Sequence, residues 1–502
     1  MRKMQLSVPQ RRLTARASKV YGAHELYRME QDMSDSPRNK RPARKPVAPP
    51  RPAMEATIER FDEEGIGCTR FKDQELQIPG TFPGEKVEFR IDYQGQRRSG
   101  GRLVRVLTPS PDRVVSPCRQ EMACLGCPLI SLDYTAQLRN KQAKVTDALS
   151  AYDSLRGAHI DPILGAEHPL NYRTNAKLAF RKERGKVRIG IYRRGSHDVV
   201  DLANCPLHHP LINRIMAVVR EEVERQVVWV YDEQRRRGLL RYLLIRVCPT
   251  SNEAMVTFVT TERDFRQITH LAKWLVRKVP EVVSVQQNVN ASQGNVVVGR
   301  ETIKMLGYPT LRDRVGEVEL VLSPSSFFQV NHEQAAKIYA LVRRWAGLKP
   351  DEAALDLYCG IGGIALNLAR DAGRVIGIEV VEEAVHNARD NARRNGRDNC
   401  RFLAGDVSEL LEGIASDLPA RSIATINPPR KGCEAAVLDA LCELPLRTLI
   451  YVSCNPESLA RDLDRLCRNG WSVEAVQPVD MFPQTPHVET VVRLRRSRDS
   501  VA

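Results

Sequence analysis

The chain has no stretch approaching the roughly 20 consecutive apolar residues of a membrane-spanning helix, and no apolar segment after Met1 of the kind that directs secretion. Both absences argue against a membrane or exported protein and for a cytoplasmic one. Acid falls short of base: 61 Asp/Glu face 76 Lys/Arg, a net charge of +15. Residues 1 to 50 hold 12 Lys/Arg and 4 Asp/Glu, so the rest of the chain keeps +7. A basic tail on a basic body favours a polyanionic partner, nucleic acid ahead of an anionic membrane surface. Charge alone leaves an ordinary soluble basic protein as the alternative. Also missing are the paired CxxC knuckles of structural zinc and the third glycine of a dinucleotide fingerprint. The 12 cysteines are not expected to form disulfides, because the cytosol keeps thiols reduced.

At 502 residues the chain is too long for one core, and two to four domains are expected. Residues 1–52 lack hydrophobic periodicity and end in a proline and arginine mixture, a disordered basic tail read as a tether for RNA. Over 53–110 the segments ATIERFD, GIGCTRF, LQIPG, EKVEFRID and GRLVRVL predict a small closed β-barrel, to which Arg97, Arg98, Arg102 and Arg105 lend a cationic face. Residues 111–165 bring Cys118, Cys124 and Cys127, then a polar helical stretch over Ile130 to Leu155. A fourth thiol, Cys205, sits in DLANCPLHHP. Four thiolates suit an iron-sulfur cluster or structural zinc, and the spacing favours the cluster over zinc and over no ligand.

Residues 166–330 alternate strands with helices around 209–227 and 263–279, a central α+β module expected to bind RNA. Its loop YRRGSHDVVDLANCPL ties Arg193, Arg194 and His197 to Cys205. It ends in Phe327-Phe328-Gln329, where an extended strand would put Phe327 and Gln329 on one side. A ring and an amide so placed can stack on a base and hydrogen-bond it or a cofactor. On residue types alone, a buried Phe beside an exposed Gln is the better reading.

From 331 to 497 strands and helices alternate as in a parallel, doubly wound α/β sheet. Leu355 to Gly363 reads as strand, glycine loop, helix, with Tyr358, Gly360 and Gly363 at the turn. Glu379 ends the second strand, where an acid accepts from a ribose diol. Asp406 follows the third, where an acid meets an adenine amino group. Asn427-Pro428-Pro429-Arg430-Lys431 follows the fourth, and the two basic side chains suit phosphate or solvent. The run RTLIYVSCNP delivers Cys454 to the carboxyl end of a fifth strand, where a nucleophile is expected. Glu489 begins an alternating strand at the sheet edge and is a candidate base. The set fits S-adenosylmethionine better than NAD, FAD or a phosphate.

GIGCTRF and IPGTFPGEKVEF, the cysteine pattern, Phe327-x-Gln329, the cofactor turn, PPRKG, SCNP and HVET together resemble the RNA 5-methyluridine methyltransferases over about 55 to 495. The resemblance is to the cluster-containing 23S rRNA type with an N-terminal TRAM domain, an OB-like RNA-binding barrel. It implies a multidomain protein ending in a seven-stranded, Rossmann-like class I methyltransferase domain. It implies S-adenosylmethionine held by Gln329, Tyr358, Gly360, Gly363, Glu379, Asp406 and Asn427. Phe327 would hold the base, and Cys118, Cys124, Cys127 and Cys205 a 4Fe-4S cluster. The Cys454 thiolate would add to carbon 6 of uracil, and the resulting enolate would attack the sulfonium methyl through carbon 5. Glu489 would then take the carbon 5 proton as the cysteine leaves. The implied partner is RNA, 23S rRNA before tRNA, with no obligate protein partner. Asn427 departs from the family's usual Asp. An RNA-binding ribosome-assembly factor that has lost catalysis is the alternative of another class. Cytosine methylation is disfavoured because its nucleophile would stand where this chain has Pro429.

Overall fold

The computed structural model describes residues 52–496 apart from Arg97, Val227, Gly294, Asn295 and Phe327. The chain divides into two units, Met1–Pro52 and Ala53–Ala502. The basic tail expected over 1–52 therefore lies outside the described residues but for Pro52, and so does Phe327. No helix among the described residues is long and apolar enough to cross a membrane.

The N-terminal sheet has six strands, Met54–Thr57, Arg60–Phe61, Gly67–Phe71, Gln74–Ile78, Lys86–Gln94 and Arg98–Thr108. Met54–Thr57 and Arg60–Phe61 stand at opposite ends of the strand order. Only Ile58 and Glu59 join them. Two residues span no more than about 7 Å, so the sheet must curl until its ends meet. Ile58, Leu76, Ile78, Val87, Phe89 and Ile91 fill the interior. The cationic face expected here is partly neutralised, because Arg105 bonds Glu88 at 2.5 Å and Arg102 lies 3.7 Å from Asp92 on the adjoining strand.

The helix Tyr134–Ser150 is capped by Asp133, whose carboxylate accepts from the N–H groups of Thr135 and Ala136. Its Val145 and Leu149 pack into the core of the C-terminal domain. The central module is a seven-stranded sheet running from Glu301–Gly307 through Val282–Val289, Glu253–Thr260, Leu240–Cys248, Asn175–Glu183 and Lys186–Tyr192 to Val199–Asp201. Helices Pro210–Arg225 and Phe265–Lys278 share an apolar cluster with it. The hairpin Leu311–Val315 and Val318–Leu322 is separate, and its Val315, Val318, Leu320 and Leu322 belong to the core of the C-terminal domain.

That domain is one seven-stranded sheet ordered Cys400–Ala404, Arg374–Glu379, Ala353–Leu357, Ser422–Ile426, Leu446–Ser453, Glu489–Arg496, Trp471–Val479. The order reverses direction between Ala353–Leu357 and Ser422–Ile426, and a crevice opens at such a point beyond the carboxyl ends of the strands. Two expectations need correction. The first five strands are parallel, but Glu489–Arg496 runs antiparallel to both neighbours. It is also an inner strand rather than an edge, because the return from Trp471–Val479 inserts it beside Leu446–Ser453. Glu489, Thr490, Val491 and Val492 are consequently all buried.

Candidate active site

The position of Cys454, the candidate nucleophile, follows from three consecutive residues. Strand Leu446–Ser453 ends, Asn455 caps the next helix through a 3.1 Å bond from the Glu457 N–H, and Pro456 opens that helix. Cys454 is the one residue left between strand and helix. Ser453 pairs with Thr490 across the antiparallel ladder, so Cys454 comes directly after the last paired residue of one strand and Glu489 directly before that residue's partner on the other, and the carboxylate acts on the thiol.

Arg430 completes the group. Its carbonyl accepts from Asn455 Nδ2 at 3.1 Å and Ser458 Oγ at 3.0 Å, which ties the PPRKG turn to the cysteine turn. Burial pushes the Cys454 thiol up, the Glu489 carboxylate adds to this, and the Arg430 guanidinium, in hydrogen-bond contact, works against both. Burial pushes the Glu489 carboxyl up to about 8, again against Arg430. A carboxyl in that range takes and returns a proton near neutral pH. The sequence offered Arg430 only for phosphate or solvent; the side-chain contact between two distant turns was not readable. Lys431 pairs with Glu434 at 2.9 Å instead. Cys433, the thiol that follows the PPRKG turn, is buried and held by the Tyr451 hydroxyl, and burial drives it up to about 12.

The cofactor turn lies one strand pair away. Tyr358 has φ 61° and Gly360 φ 56°. Gly360 donates its N–H to Glu379 Oε2 at 3.1 Å, and Val381 donates to Oε1 at 2.9 Å. A Cβ on Gly360 would meet nothing within 4 Å, so the turn faces open space, whereas one on Gly363 would strike Tyr339 Oη at 2.6 Å. Beneath the turn, Asp356 accepts from Thr425 Oγ1 at 2.6 Å and from the Ala365 N–H at 2.9 Å, and burial drives its carboxyl up to about 7. Open space beside glycine with a strand-end carboxylate fits a nucleoside and its diol. Asp406 is exposed and caps helix Val407–Ile414, its Oδ1 accepting from Ser408 N–H at 2.8 Å. One of its oxygens is thus taken by the protein. Asn427 is half-buried at the end of Ser422–Ile426, its N–H 3.3 Å from the Leu357 carbonyl.

Gln329 does not sit on a strand. It lies in a loop after Val318–Leu322, and Phe327 lies outside the described residues. The loop is nevertheless held firmly. Buried Arg246 donates to the carbonyls of Ser323 at 3.3 Å and Ser326 at 2.5 Å, while Asn387 donates to both serine hydroxyls at 3.1 and 2.9 Å.

Cys118, Cys124, Cys127 and Cys205 are all half-buried. They share one neighbourhood, since Cys205 adds to what burial does in pushing up the thiols of Cys118, Cys124 and Cys127. Among the described residues, however, no three His, Cys, Asp or Glu side chains stand as a group able to hold a metal ion. Four thiols brought into one neighbourhood from two separate segments are the donor set that a cluster or zinc would take. Arg194 lines a cavity of about 330 Å³ with Gly126, Arg173, Arg430 and His487, joining the cysteine loop to the PPRKG turn. His197 does not follow it and faces a different cavity.

A family model described as tRNA (Uracil-5-)-methyltransferase matches residues 133–497. The chain is similar to an uncharacterized RNA methyltransferase of Geobacter sulfurreducens, 42% identical over 88% of this chain and 89% of that one. It is 36% identical to another of Clostridium tetani over 86% of this chain and 93% of that one. Among solved structures it resembles Pyrococcus abyssi tRNA (uracil-54, C5)-methyltransferase in complex with S-adenosyl-L-homocysteine, with 27% identity, TM-score 0.70, and coverage of 88% of this chain and 100% of that one.

Proposed function

The chain belongs to the tRNA (uracil-5-)-methyltransferase family and is an S-adenosylmethionine-dependent RNA (uracil-5-)-methyltransferase, and on that premise we propose that it methylates carbon 5 of one uridine through a covalent adduct on Cys454. The observation that supports this is that Cys454, just past the end of Leu446–Ser453, and Glu489, opening the neighbouring strand, lie close enough for the carboxylate to act on the thiol, with Arg430 acting on both. Bound S-adenosylmethionine supplies an electrophilic methyl group. Cys454 adds as thiolate to carbon 6, and Glu489 removes the carbon 5 proton so that the sulfur can leave. Asn427 is the departure from the family's Asp; its amide both donates and accepts, so it suits the uracil imide edge. Gln329, Tyr358, Gly360, Gly363, Glu379 and Asp406 are assigned to the cofactor, and Phe327 to the base.

The preferred substrate is 23S rRNA, on the strength of the four-cysteine pattern. A second reading, the T-loop uridine of tRNA, is favoured by the neighbour whose name specifies tRNA uracil-54. The N-terminal barrel is assigned to the TRAM class and to RNA binding. Cys118, Cys124, Cys127 and Cys205 are assigned to a 4Fe-4S cluster, with zinc as the lesser choice.

Labelled methyl transfer to a mixture of unmodified 23S rRNA and tRNA, mapped to base and position, decides the substrate. Label at carbon 5 of one rRNA uridine is expected; label in tRNA would move the substrate, and tight binding without label would favour the assembly factor. Cys454→Ala should abolish transfer and keep RNA binding. Glu489→Gln should slow turnover about 10²- to 10⁴-fold and accumulate a covalent RNA adduct. Anaerobically purified protein should carry iron and acid-labile sulfide, lost in Cys127→Ser. Zinc in their place, or no metal, would refute the cluster.

A further inference from the structure

A cavity of about 470 Å³ opens on the central module, lined only by residues between Phe180 and Arg237, none of them assigned to catalysis or cofactor. Trp229 is 63% exposed although its neighbours Val228 and Val230 are buried. Its carbonyl accepts from the N–H groups of Leu239 at 2.8 Å and Leu240 at 3.0 Å, so a fixed backbone holds a large ring toward solvent. Tyr192, Tyr231 and His197 complete an aromatic wall. The Tyr192 and His197 rings are 5.6 Å apart. Buried Arg241 backs Tyr231 at 4.8 Å from its centroid and is itself anchored on the carbonyls of Asn290 and Ser292 at 2.9 and 2.7 Å.

Charge on the rim is one-sided. Asp232 Oδ1 is occupied by the N–H groups of Gln234 at 2.9 Å and Arg235 at 3.0 Å, and Glu233 pairs with Arg241 at 3.3 Å. Among the described residues neither Arg235 nor Arg237, both exposed, forms a salt bridge. The acids are satisfied within the protein and the cations are left for a ligand. A second cavity of about 390 Å³ shares Tyr192, His197 and Glu233, so the groove continues past the first.

We propose that this cavity is a second RNA-binding site, in which one unpaired nucleotide outside the reacting uridine stacks on Trp229 while its phosphates lie against Arg235 and Arg237. The proposal rests on RNA being the substrate. The volume suits a nucleotide and is too small for a helix or a strand. Rigid rings with free arginines are how single strands are gripped without regard to sequence, because every base has a π-face and every linkage a phosphate. Such a site would select targets whose flanking nucleotides are already unpaired, and the binding would offset part of the cost of exposing the target base.

The test uses the full chain and a fluorescein-labelled oligoadenylate about ten nucleotides long, read by anisotropy, beside an RNA duplex of the same length. Trp229→Ala should weaken the single strand about 10-fold or more, and Trp229→Phe should recover most of it. Arg235→Ala/Arg237→Ala should lower the slope of log affinity against log salt by about 1.4. Duplex binding should ignore the tryptophan change. If Trp229→Ala binds the oligonucleotide as tightly as the wild-type chain, or if wild-type prefers the duplex, the site is overturned while the methyltransferase reading stands. If Trp229→Ala loses the oligonucleotide and neither protein methylates any RNA, the methyltransferase reading falls and this site survives.

Discussion

Cys454 and Glu489 compete for one cation. Each is made harder to ionise by burial, the cysteine further by the carboxylate, and Arg430 opposes both effects. The rate of adduct formation should therefore keep rising with pH beyond the range of an ordinary cysteine rather than level near neutrality. Arg430→Ala removes the opposing charge, so the rising limb should move to higher pH. Glu489→Gln removes the negative neighbour of the thiol, so adduct formation should begin at lower pH. Single-turnover adduct formation across a pH series measures both, and an unmoved limb in Arg430→Ala would mean the guanidinium acts elsewhere. Stability follows the same group. The folded Glu489 value of about 8 lies above that of an unfolded glutamate. Its contribution is complete below the unfolded value, about 4.3, and is lost as pH rises through about 8. Glu489→Gln should accordingly melt near wild-type in acid and above it in mild alkali.

Among elements, the turn from Ala353–Leu357 into helix Gly363–Leu368 is tightly constrained. Gly362 needs φ 88°, and a Cβ on Gly363 would lie 2.6 Å from Tyr339 Oη and 2.9 Å from its Cζ. Gly363→Ala should cost about 1–3 kcal/mol of stability and weaken S-adenosylmethionine binding by calorimetry. Unchanged cofactor affinity would remove this turn from the cofactor seat. Elements of this kind were legible: Ala353–Leu357, Ser422–Ile426 and Leu446–Ser453 are largely apolar and almost wholly buried because both faces are covered. The strand of Glu489 misled for the converse reason. Arg493 and Arg495 imitate the polar side of an edge strand, yet Arg493 is only 22% exposed and, like Arg495, bonds Glu474 of the hairpin partner, at 3.0 and 2.6 Å. Charge neutralised across a hairpin looks like exposure when only one strand is read. The loop of Gln329 failed as a strand because its bonds go to Arg246 and Asn387, each more than sixty positions away.

Across the whole molecule, one buried ion pair joins the linker helix to the catalytic domain. Lys141 Nζ lies 2.5 Å from Asp480 Oδ1 with both side chains fully buried, and Tyr134 Oη donates to Oδ2 of the same aspartate at 2.8 Å. Lys141→Ala leaves that carboxylate buried without its cation, and chemical denaturation should show a loss of about 3–5 kcal/mol. A loss below 1 kcal/mol would mean that water or Tyr134 compensates. Nothing in a polar helical stretch marks Lys141 as a core residue, since its partner is 339 positions away.

By itself the sequence determined the kinds of groups present and their local posture. A thiol ends a buried strand, a glycine turn follows another, and four cysteines stand where thiolates can gather, because strand, cap and turn preferences act over a few residues. Tertiary structure alone decided which of these meet. Antiparallel insertion of the last strand set Glu489 close to Cys454, and the bond from Asn455 to the Arg430 carbonyl drew the third charge to them. Those choices depend on which apolar faces bury one another across hundreds of residues, and no local pattern carries that information.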